Sequence, residues 1–563
     1  MILFPFRYLW WLVSRLRRAL GRPPAYVIFV LENDLPALPD PPRPLWRRFT
    51  SRPRLSVKEL GERFDSIAND PRIKGVILHL RPAGMPMATL QDLREMVLKV
   101  RQSGRRAVAW APFYTTGTYY LACACDEILL MPAGTVQPLG FADTRMFLRD
   151  GLARFGIEAD FVQISPYKSA PDMLTRSEMS HELREQVTWL LDSQNKELLS
   201  AIGKSRALDE RGAQSLVDAS PYGDDTALAM HVVDAVTPEE KLAERLGPNS
   251  GTATTIGTWE QASAKLRTHA PRLRPRKYVA VLRIEGTIID GRSSKLPVKP
   301  PFEVPLIGEE RAGDLTVVQA ARQVAGDKRA AAVVVYVNSR GGSATASEAM
   351  RQALEVIASR KPLVVAMGPF AASGGYWVST PARWIVARPS ALTGSIGVFS
   401  GKFVTAGLWS KLMFNRETIA FGQHATIESD ETPYSEQERA IVKGHIDHIY
   451  RQFVDVVAKS RNMSTEEVEP IASGRVWTGR QALERKLVDE LGGLDAAVRK
   501  ARTLAGLADT APALEARAPK RLIPPPAVAS TAGFIGYLLE GVSLLSRAPA
   551  LAVMEYLPGK LGV

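Results

Sequence analysis

The sequence contains little cysteine, and it has no uninterrupted apolar run of the about 20 residues that a bilayer-spanning helix needs. Its two cysteines, Cys123 and Cys125, stand one residue apart in an apolar stretch. Such close neighbours do not readily bridge each other, and a zinc site needs further clustered ligands. The chain therefore does not depend on disulfides, and we expect both thiols to be small buried side chains.

Two apolar segments near the ends of the chain are too interrupted to span a bilayer. Arg7 breaks the first, in residues 1–22, whereas Glu540 and Pro549 break the second, in residues 533–557. The first segment combines five aromatic residues with arginines, a composition typical of a helix lying in the membrane interface. Docking onto the protein or a partner subunit is the alternative. We expect peripheral membrane association through residues 1–22, at a face that the composition does not fix.

Acidic residues are outnumbered, but the basic excess is spread along the chain. Lysine and arginine total 72 against 59 acidic residues, which gives a net charge of +13. No basic block alternates with aromatics as in a nucleic-acid module, so we expect no nucleic-acid partner. A basic excess near an apolar terminus fits an anionic membrane surface better.

One pattern is present twice in the chain. Residues 75–84 read GVILHLRPAG, and residues 332–341, which lie 257 positions later, read AVVVYVNSRG. The same offset places Gly140 on Gly397 and Thr116 on Ser373. A register kept without gaps over this span indicates two diverged copies of one fold. A reactive serine survives in only one of them, so the copies are expected to divide the work of a site.

Strand and helix patterns alternate within each copy. Ala331–Val337 and Pro362–Met367 are apolar runs typical of strands covered on both faces, with helical periodicity at 347–359 between them. A further short strand is predicted at 396–399. This alternation predicts an α/β fold with mainly parallel sheets and flanking helices. The expected domains are the membrane-interface segment 1–22, the N-terminal copy 25–270, a linker 271–276, the C-terminal copy 277–507, and a Pro-rich linker with an apolar tail, 508–563.

The segment around Ser373 has the pattern of a strand, a tight turn and a helix. A serine at such a turn projects from the helix N-terminus, where backbone N–H groups favour developing negative charge. The N–H groups of Gly342 and Gly374 could together form an oxyanion hole. The alternatives are an ordinary N-cap serine and a plain strand–helix turn at Gly342.

A nucleophilic serine needs a base, and the histidines do not supply an evident one. None of the seven stands in a triad context; His79 lies inside a predicted strand, and His445 and His448 lie on a helix face. Lysine is the other option, provided that desolvation lowers its pKa by about 3 units. Lys168 is the candidate and has small and apolar neighbours, but composition alone predicts an ordinary surface lysine.

The motifs together resemble the long, tandem form of the signal peptide peptidase A family, Ser/Lys peptidases with a ClpP/crotonase-like fold. The resemblance covers roughly residues 25–505. It rests on the following segments: Tyr167-Lys168-Ser169-Ala170, Gly341-Gly342-Ser343, Ala372-Ser373-Gly374-Gly375-Tyr376-Trp377, Thr393-Gly394-Ser395-Ile396-Gly397 and Gly474-Arg475-Val476-Trp477-Thr478-Gly479.

This resemblance implies two tandem ClpP/crotonase-like repeats that each supply half of a catalytic site. Ser373 is then the nucleophile from the C-terminal copy and Lys168 the base from the N-terminal copy. Ser395 helps to hold the lysine, and Gly342 and Gly374 form the oxyanion hole. In the other copy Pro138 stands where Ser395 does, so that half-site is degenerate.

The resemblance also implies substrates, assembly and chemistry. It implies a serine endopeptidase that hydrolyses apolar unfolded peptides, such as cleaved signal peptides, as a homotetramer without metal or cofactor. Arg340 stands where the family has proline, which puts substrate preference in question. Two other functions remain open: a crotonase-type acyl-CoA enzyme and a non-catalytic membrane scaffold of the same fold.

Overall fold

The computed structural model describes residues 8, 10–11, 21–40, 54–82, 84–248, 252–266, 277–294, 310–516 and 551–553. The chain forms two compact units. Unit 1 comprises Met1–Ala142, Gln194–Pro275 and Pro558–Val563, and unit 2 comprises Asp143–Ser193 and Arg276–Leu557. Residues 143–193, which belong to the first copy by sequence, are thus part of unit 2. The expected linker 271–276 and almost all of the segment 1–22 lie outside the described residues.

The strands of the described residues are numbered in chain order, β1 to β21. They are Tyr26–Leu31, Gly75–Leu80, Arg106–Thr115, Glu127–Gln137, Glu158–Gln163, Tyr222–Gly223, Ala235–Val236, Ile256–Thr258, Tyr278–Glu285, Thr287–Ile289, Arg311–Gly313, Ala330–Ser339, Gly341–Ser343, Leu363–Ala372, Trp384–Ala387, Leu392–Gly394, Phe399–Val404, Val476–Thr478, Glu490–Leu491, Ala513–Glu515 and Leu551–Val553.

The helices of the described residues are numbered α1 to α18. They are Val57–Ala68, Met87–Gln102, Thr116–Ala122, Arg149–Phe155, Asp172–Thr175, His181–Arg206, Glu210–Asp218, Asp224–Ala229, Leu242–Arg245, Trp259–Ser263, Asp314–Gly326, Ala344–Ala358, Gly374–Trp377, Ala406–Lys411, Glu436–Arg461, Thr465–Val468, Gly479–Glu484 and Leu494–Leu504.

Unit 1 is built on one sheet with the strand order β6-β4-β3-β2-β1-β8, and β7 pairs with β4. The pairs β1–β2, β2–β3 and β3–β4 are all parallel. Both faces of these strands are buried because they carry continuous apolar runs, as in Gly75–Leu80, where every residue is buried. Helices α1 and α2 supply the cover, with Leu60 and Leu93 in the core.

Unit 2 contains two sheets. The larger has the order β18-β16-β14-β12-β9-β20, with β15 and β19 beyond β14. Its central pairs, β9–β12 and β12–β14, are parallel and carry the buried runs that the sequence predicts as strands. The smaller sheet has the order β11-β10-β13-β21-β17-β5. Parallel sheets covered by helices confirm the α/β prediction.

Two local predictions are wrong. The short strand predicted at 396–399 is displaced, because residues 396–398 form a loop and β17 runs from Phe399 to Val404. Within the stretch 508–529, expected to be a linker, Ala513–Glu515 adds a parallel strand to β9. Both errors concern short segments whose structure depends on partners far away in the chain. No helix in the described part of the chain is long and apolar enough to cross a membrane.

Candidate active site

Ser373 lies between a buried strand and a short helix, in a strained backbone conformation. It joins β14 to α13 with φ 54° and ψ −117°, a region that residues other than glycine rarely occupy. Its N–H donates to the carbonyl of Gly394 at 2.7 Å, which ties the turn to β16. Its hydroxyl caps no N–H of α13, so the interpretation as an ordinary N-cap does not hold. Strain of this kind costs about 1–3 kcal/mol and is concentrated at functional sites.

Lys168 is buried beside this serine. Its side chain is 1% exposed, so the interpretation as a surface lysine is wrong. The Nζ atom lies 2.7 Å from Ser373 Oγ, and 3.0 Å from both the carbonyl oxygen and the Oγ of Ser395. The structure therefore brings together the three side chains that the resemblance implied, although Lys168 and Ser373 are 205 residues apart in the chain.

The surroundings of Lys168 favour its neutral form. Burial lowers the pKa of Lys168 well below its usual value of 10.5. A neutral amine has two N–H groups and one lone pair. The N–H groups match the two oxygens of Ser395, and the lone pair can accept the proton of the Ser373 hydroxyl. The geometry thus suits a general base that acts on Ser373.

Ser395 is held in place as firmly as the serine that it faces. It has a φ of 50°, and its N–H donates to the carbonyl of Arg475 at 2.6 Å. The preceding strand β16 pairs with β14, so that Gly394 lies opposite Ala372. The strand pairing sets Ser373 and Ser395 side by side, with Lys168 between their hydroxyls.

The segment Gly474–Gly479 supports the lysine, a role that the sequence did not reveal. A Cβ atom added to Gly474 would lie 2.6 Å from the backbone nitrogen of Lys168, so only glycine allows this close approach. Its φ of 82° also favours glycine. The next strand fixes helix α6, since Val476 donates to Gln186 Oε1 and accepts from Trp189 Nε1, both at 2.9 Å. The sequence marked this segment as typical of the family without assigning it a function.

Gly374 lies at the start of a helix as the sequence predicted, whereas Gly342 lies within a strand and not in a strand–helix turn. Gly342 is the central residue of β13 and leaves no room for a side chain, because a Cβ would approach the carbonyl oxygen of Ile288 to 1.9 Å. Gly374 is the first residue of α13, directly after Ser373. Their role in an oxyanion hole is taken up under the proposed function.

An extended segment of the chain lies along β13. Strand β21 pairs antiparallel with β13, with Ala552 opposite Gly342, and its Leu551 also pairs with Phe399 of β17. Strand β21 therefore fills a slot between β13 and β17 as an additional strand. Arg340 stands just before β13, with its guanidinium carbon 4.0 Å from the ring centroid of Phe370.

The equivalent position in unit 1 keeps the connection from strand to helix, but without the serine and without the positive φ of Ser373. Thr116 begins helix α3, and its hydroxyl lies 3.3 Å from the carbonyl of Gly140. In unit 2, Ser373 Oγ lies 3.4 Å from the carbonyl of Gly397, the residue equivalent to Gly140. This correspondence supports the alignment of the two copies.

The other side chains considered from sequence lie in ordinary structural environments. His79 is buried and accepts a hydrogen bond from Arg81 Nε at 3.0 Å, whereas His445 and His448 are exposed on α15. Cys123 and Cys125 are free and buried, and burial raises the pKa of each thiol. The described residues contain no cluster of three or more His, Cys, Asp or Glu side chains that could hold a metal ion.

A comparison with known protein families identifies the family of this chain. The model of peptidase family S49 matches residues 99–252 and again residues 355–508. The chain belongs to peptidase family S49. The two matches confirm the prediction of a tandem repeat, and the family confirms the resemblance.

Curated relatives extend the similarity over most of the chain. The chain is 30% identical over 461 residues to the chloroplastic serine protease SPPA of Arabidopsis thaliana. The aligned region covers 80% of this chain and 66% of the relative. It is 31% identical over 451 residues to Protease 4 of Haemophilus influenzae, with coverages of 77% and 71%. It is 32% identical over 452 residues to Protease 4 of Salmonella typhi, with coverages of 78% and 70%. These S49 relatives confirm a serine-type endopeptidase, and neither the acyl-CoA enzyme nor the scaffold is favoured.

Proposed function

We propose that this S49 peptidase cleaves peptide bonds with Ser373 as nucleophile and Lys168 as its general base. The observation that carries the proposal is the distance of 2.7 Å between Lys168 Nζ and Ser373 Oγ, with both side chains buried. Burial lowers the pKa of Lys168, so a neutral amine is available to remove the serine proton. Ser395 acts as a positioning residue because both of its oxygens contact the amine.

The reaction follows from these contacts. Lys168 takes the proton of the Ser373 hydroxyl while Oγ forms a bond to the peptide carbonyl carbon. The carbonyl oxygen becomes an oxyanion, for which we assign the N–H groups of Gly342 and Gly374 as donors. The ammonium of Lys168 then protonates the leaving amine as the C–N bond breaks. Water, deprotonated by Lys168, hydrolyses the acyl-enzyme and restores the serine.

The proposed substrates are unfolded, apolar peptides such as cleaved signal peptides. The slot occupied by β21 supports an extended substrate, because backbone pairing with Gly341–Ser343 requires an unfolded strand. The preference for apolar side chains rests on the family resemblance.

We further propose that the protein works as a homotetramer on a membrane surface. The family resemblance is the basis for the tetramer. The composition of residues 1–22, aromatic and arginine-rich, is the basis for peripheral attachment. A peptidase at the membrane surface would meet apolar peptides where they are released.

Labelling with a fluorophosphonate probe tests the two catalytic roles. We expect wild type to be labelled, Ser373→Ala to be unlabelled, and Lys168→Ala to react about 10²- to 10⁴-fold more slowly, the usual contribution of a general base. The double variant Ser373→Ala, Thr116→Ser is the matched control. It should stay unlabelled, since Lys168 lies beside Ser373 and the stretch of the second copy equivalent to Tyr167–Ser169, residues 424–426, contains no lysine. Unchanged labelling of Lys168→Ala would refute this lysine as the base.

A further inference from the structure

The two copies are joined within unit 2 by a pair of strands. Strand β5, from the first copy, pairs antiparallel with β17, from the second, with Gln163 opposite Phe399 and Glu158 opposite Val404. The chain passes from β5 directly into the loop that carries Lys168. This strand joint is therefore the element that brings the base of one copy to the nucleophile of the other.

The second copy contains the equivalent of β5 in the same local setting. Helix α14 begins 257 residues after α4, and Met413 has a positive φ at the position of Gly156. The bond from Ile157 N to Leu152 O recurs from Phe414 N to Trp409 O, and both measure 2.9 Å. The offset of 257 residues between the copies is thus kept up to Ile157, the residue before β5, and Phe414, its equivalent. Residues 415–420 are the equivalent of β5.

This equivalent segment forms no strand and exposes apolar side chains. Ile419 is 88% exposed, whereas Val162, at the same position of β5, is only 8% exposed. Phe414 and Phe421 flank the segment and are also exposed. Contiguous exposed apolar side chains of this size indicate a surface that is covered in the working protein.

The equivalent of β17 in the first copy forms no strand either. The offset places residues 142–147 on β17, and these residues have no strand assignment. Met146, at the position of Phe403, is exposed. In the described part of the chain, residues 415–420 and 142–147 are therefore the equivalents of β5 and β17, but the two segments are not paired as those strands are. We call them the unmatched strand and the unmatched edge.

The charges repeat as well. In the joint, Lys402 lies opposite Asp160, and both side chains are buried. Arg145 is the equivalent of Lys402, and Glu417 is the equivalent of Asp160. The side chain of Arg145 is also buried, and it forms an ion pair with Asp143. The same order of cation and carboxylate across the two strands favours the same pairing register.

We propose that residues 415–420 of one chain pair as an antiparallel strand with residues 142–147 of a second copy of this chain. In this register Ala420 lies opposite Ala142, Thr418 opposite Thr144, and Glu417 opposite Arg145. The contact uses different surfaces of the two chains, so repetition closes a ring or extends as a filament. This inference rests on the self-assembly proposed above and names the surface that carries it. In this proposal, the segments that do not contribute to the catalytic site within one chain form the contact between chains.

Disulfide trapping of the full chain tests the register. Thr144→Cys in one chain and Thr418→Cys in a co-expressed chain with a different tag should form a disulfide-linked pair with one chain of each kind. Directly opposed strand residues have Cα separations within the range that a disulfide spans, and Cys123 and Cys125 are buried. Thr144→Cys with Asn415→Cys is the out-of-register control and should give little product. Equal yields from both pairs would overturn the register.

Charge substitutions test whether the surface is needed for assembly. Ile419→Asp should reduce the oligomer to single chains in light scattering. Leu412→Asp should not, because Phe155, its equivalent beside the closed joint, remains 65% exposed. An oligomer that survives Ile419→Asp and gives no crosslink would overturn this surface while leaving the assembly proposal intact. A monomeric wild type would overturn both, and normal fluorophosphonate labelling in that case would leave the catalytic proposal standing.

Discussion

Lys168 must be neutral before it can take a proton from Ser373, and its surroundings decide when that happens. Burial disfavours the ammonium and lowers the pKa, and the three oxygens around Nζ suit an amine that donates twice and accepts once. The folded state then binds fewer protons than the unfolded state between the lowered pKa and 10.5. The burial of this lysine therefore destabilises the fold at lower pH, and that cost disappears as the pH rises.

The rate of peptide cleavage should depend on the protonation state of Lys168. We expect kcat/KM to rise with pH along a single limb whose midpoint lies well below the ordinary lysine pKa of 10.5. Ser395→Ala should move the limb to lower pH and reduce kcat, since the ammonium loses an acceptor and the amine loses a positioning contact. The measurement is kcat/KM for a peptide substrate across the pH range. A limb centred near 10.5 in wild type would contradict a desolvated base.

At the scale of elements, strand pairing places the catalytic groups. The pairing of β14 with β16 sets Ser373 beside Ser395, and the pairing of β5 with β17 delivers the loop that carries Lys168. The smaller sheet has a second function, because β21 fills the slot between β13 and β17. A segment of the chain thus occupies the path that we assign to the substrate.

Removing that segment should free the slot. Deletion of residues 551–563 should lower KM by at least about twofold, the factor expected if the segment fills half of the sites, with kcat unchanged. Ala552→Pro should have a similar effect, because proline cannot donate a backbone hydrogen bond to β13. Steady-state kinetics on an apolar peptide provide the measurement. A rise in KM after both changes would show that the segment helps to form the site.

At the scale of the whole molecule, the two copies contribute different groups to one site. Unit 1 retains the turn and helix at Thr116, with the contact to Gly140, but has no serine there. Unit 2 contains Ser373 and also the segment Asp143–Ser193 of the first copy, which carries Lys168. One site per chain follows from this arrangement, and we assign the unmatched segments 142–147 and 415–420 to assembly.

The membrane attachment that we propose can be measured on the full chain. We expect vesicles containing anionic lipid to bind the full chain, neutral vesicles to bind it less, and salt to weaken the binding. Deletion of residues 1–20 should abolish it. The deletion leaves Gly21 in place, whose carbonyl accepts a hydrogen bond from Arg72 at 2.9 Å. Equal binding of the deleted and full chains would place the membrane contact elsewhere.

The sequence by itself determined the α/β class, the tandem repeat and, through its motifs, the residues of the site. These are local or periodic features: apolar runs such as Ala331–Val337 must be covered on both faces wherever they lie, and the turn at Ser373 is encoded by adjacent residues. The offset between the two copies also followed from the order of residues alone. The short strand predicted at 396–399 failed because its location depends on pairing with β5, far away in the chain.

Only the tertiary structure decided what Lys168 is. The composition around it predicts an ordinary surface lysine, because the residues that contact its amine lie more than 200 positions away. In the fold the Lys168 side chain is buried and its amine contacts Ser373 and Ser395, and this burial lowers its pKa. The role of Gly474, and the unmatched strand and edge that we assign to assembly, likewise depend on which segments meet in the folded chain.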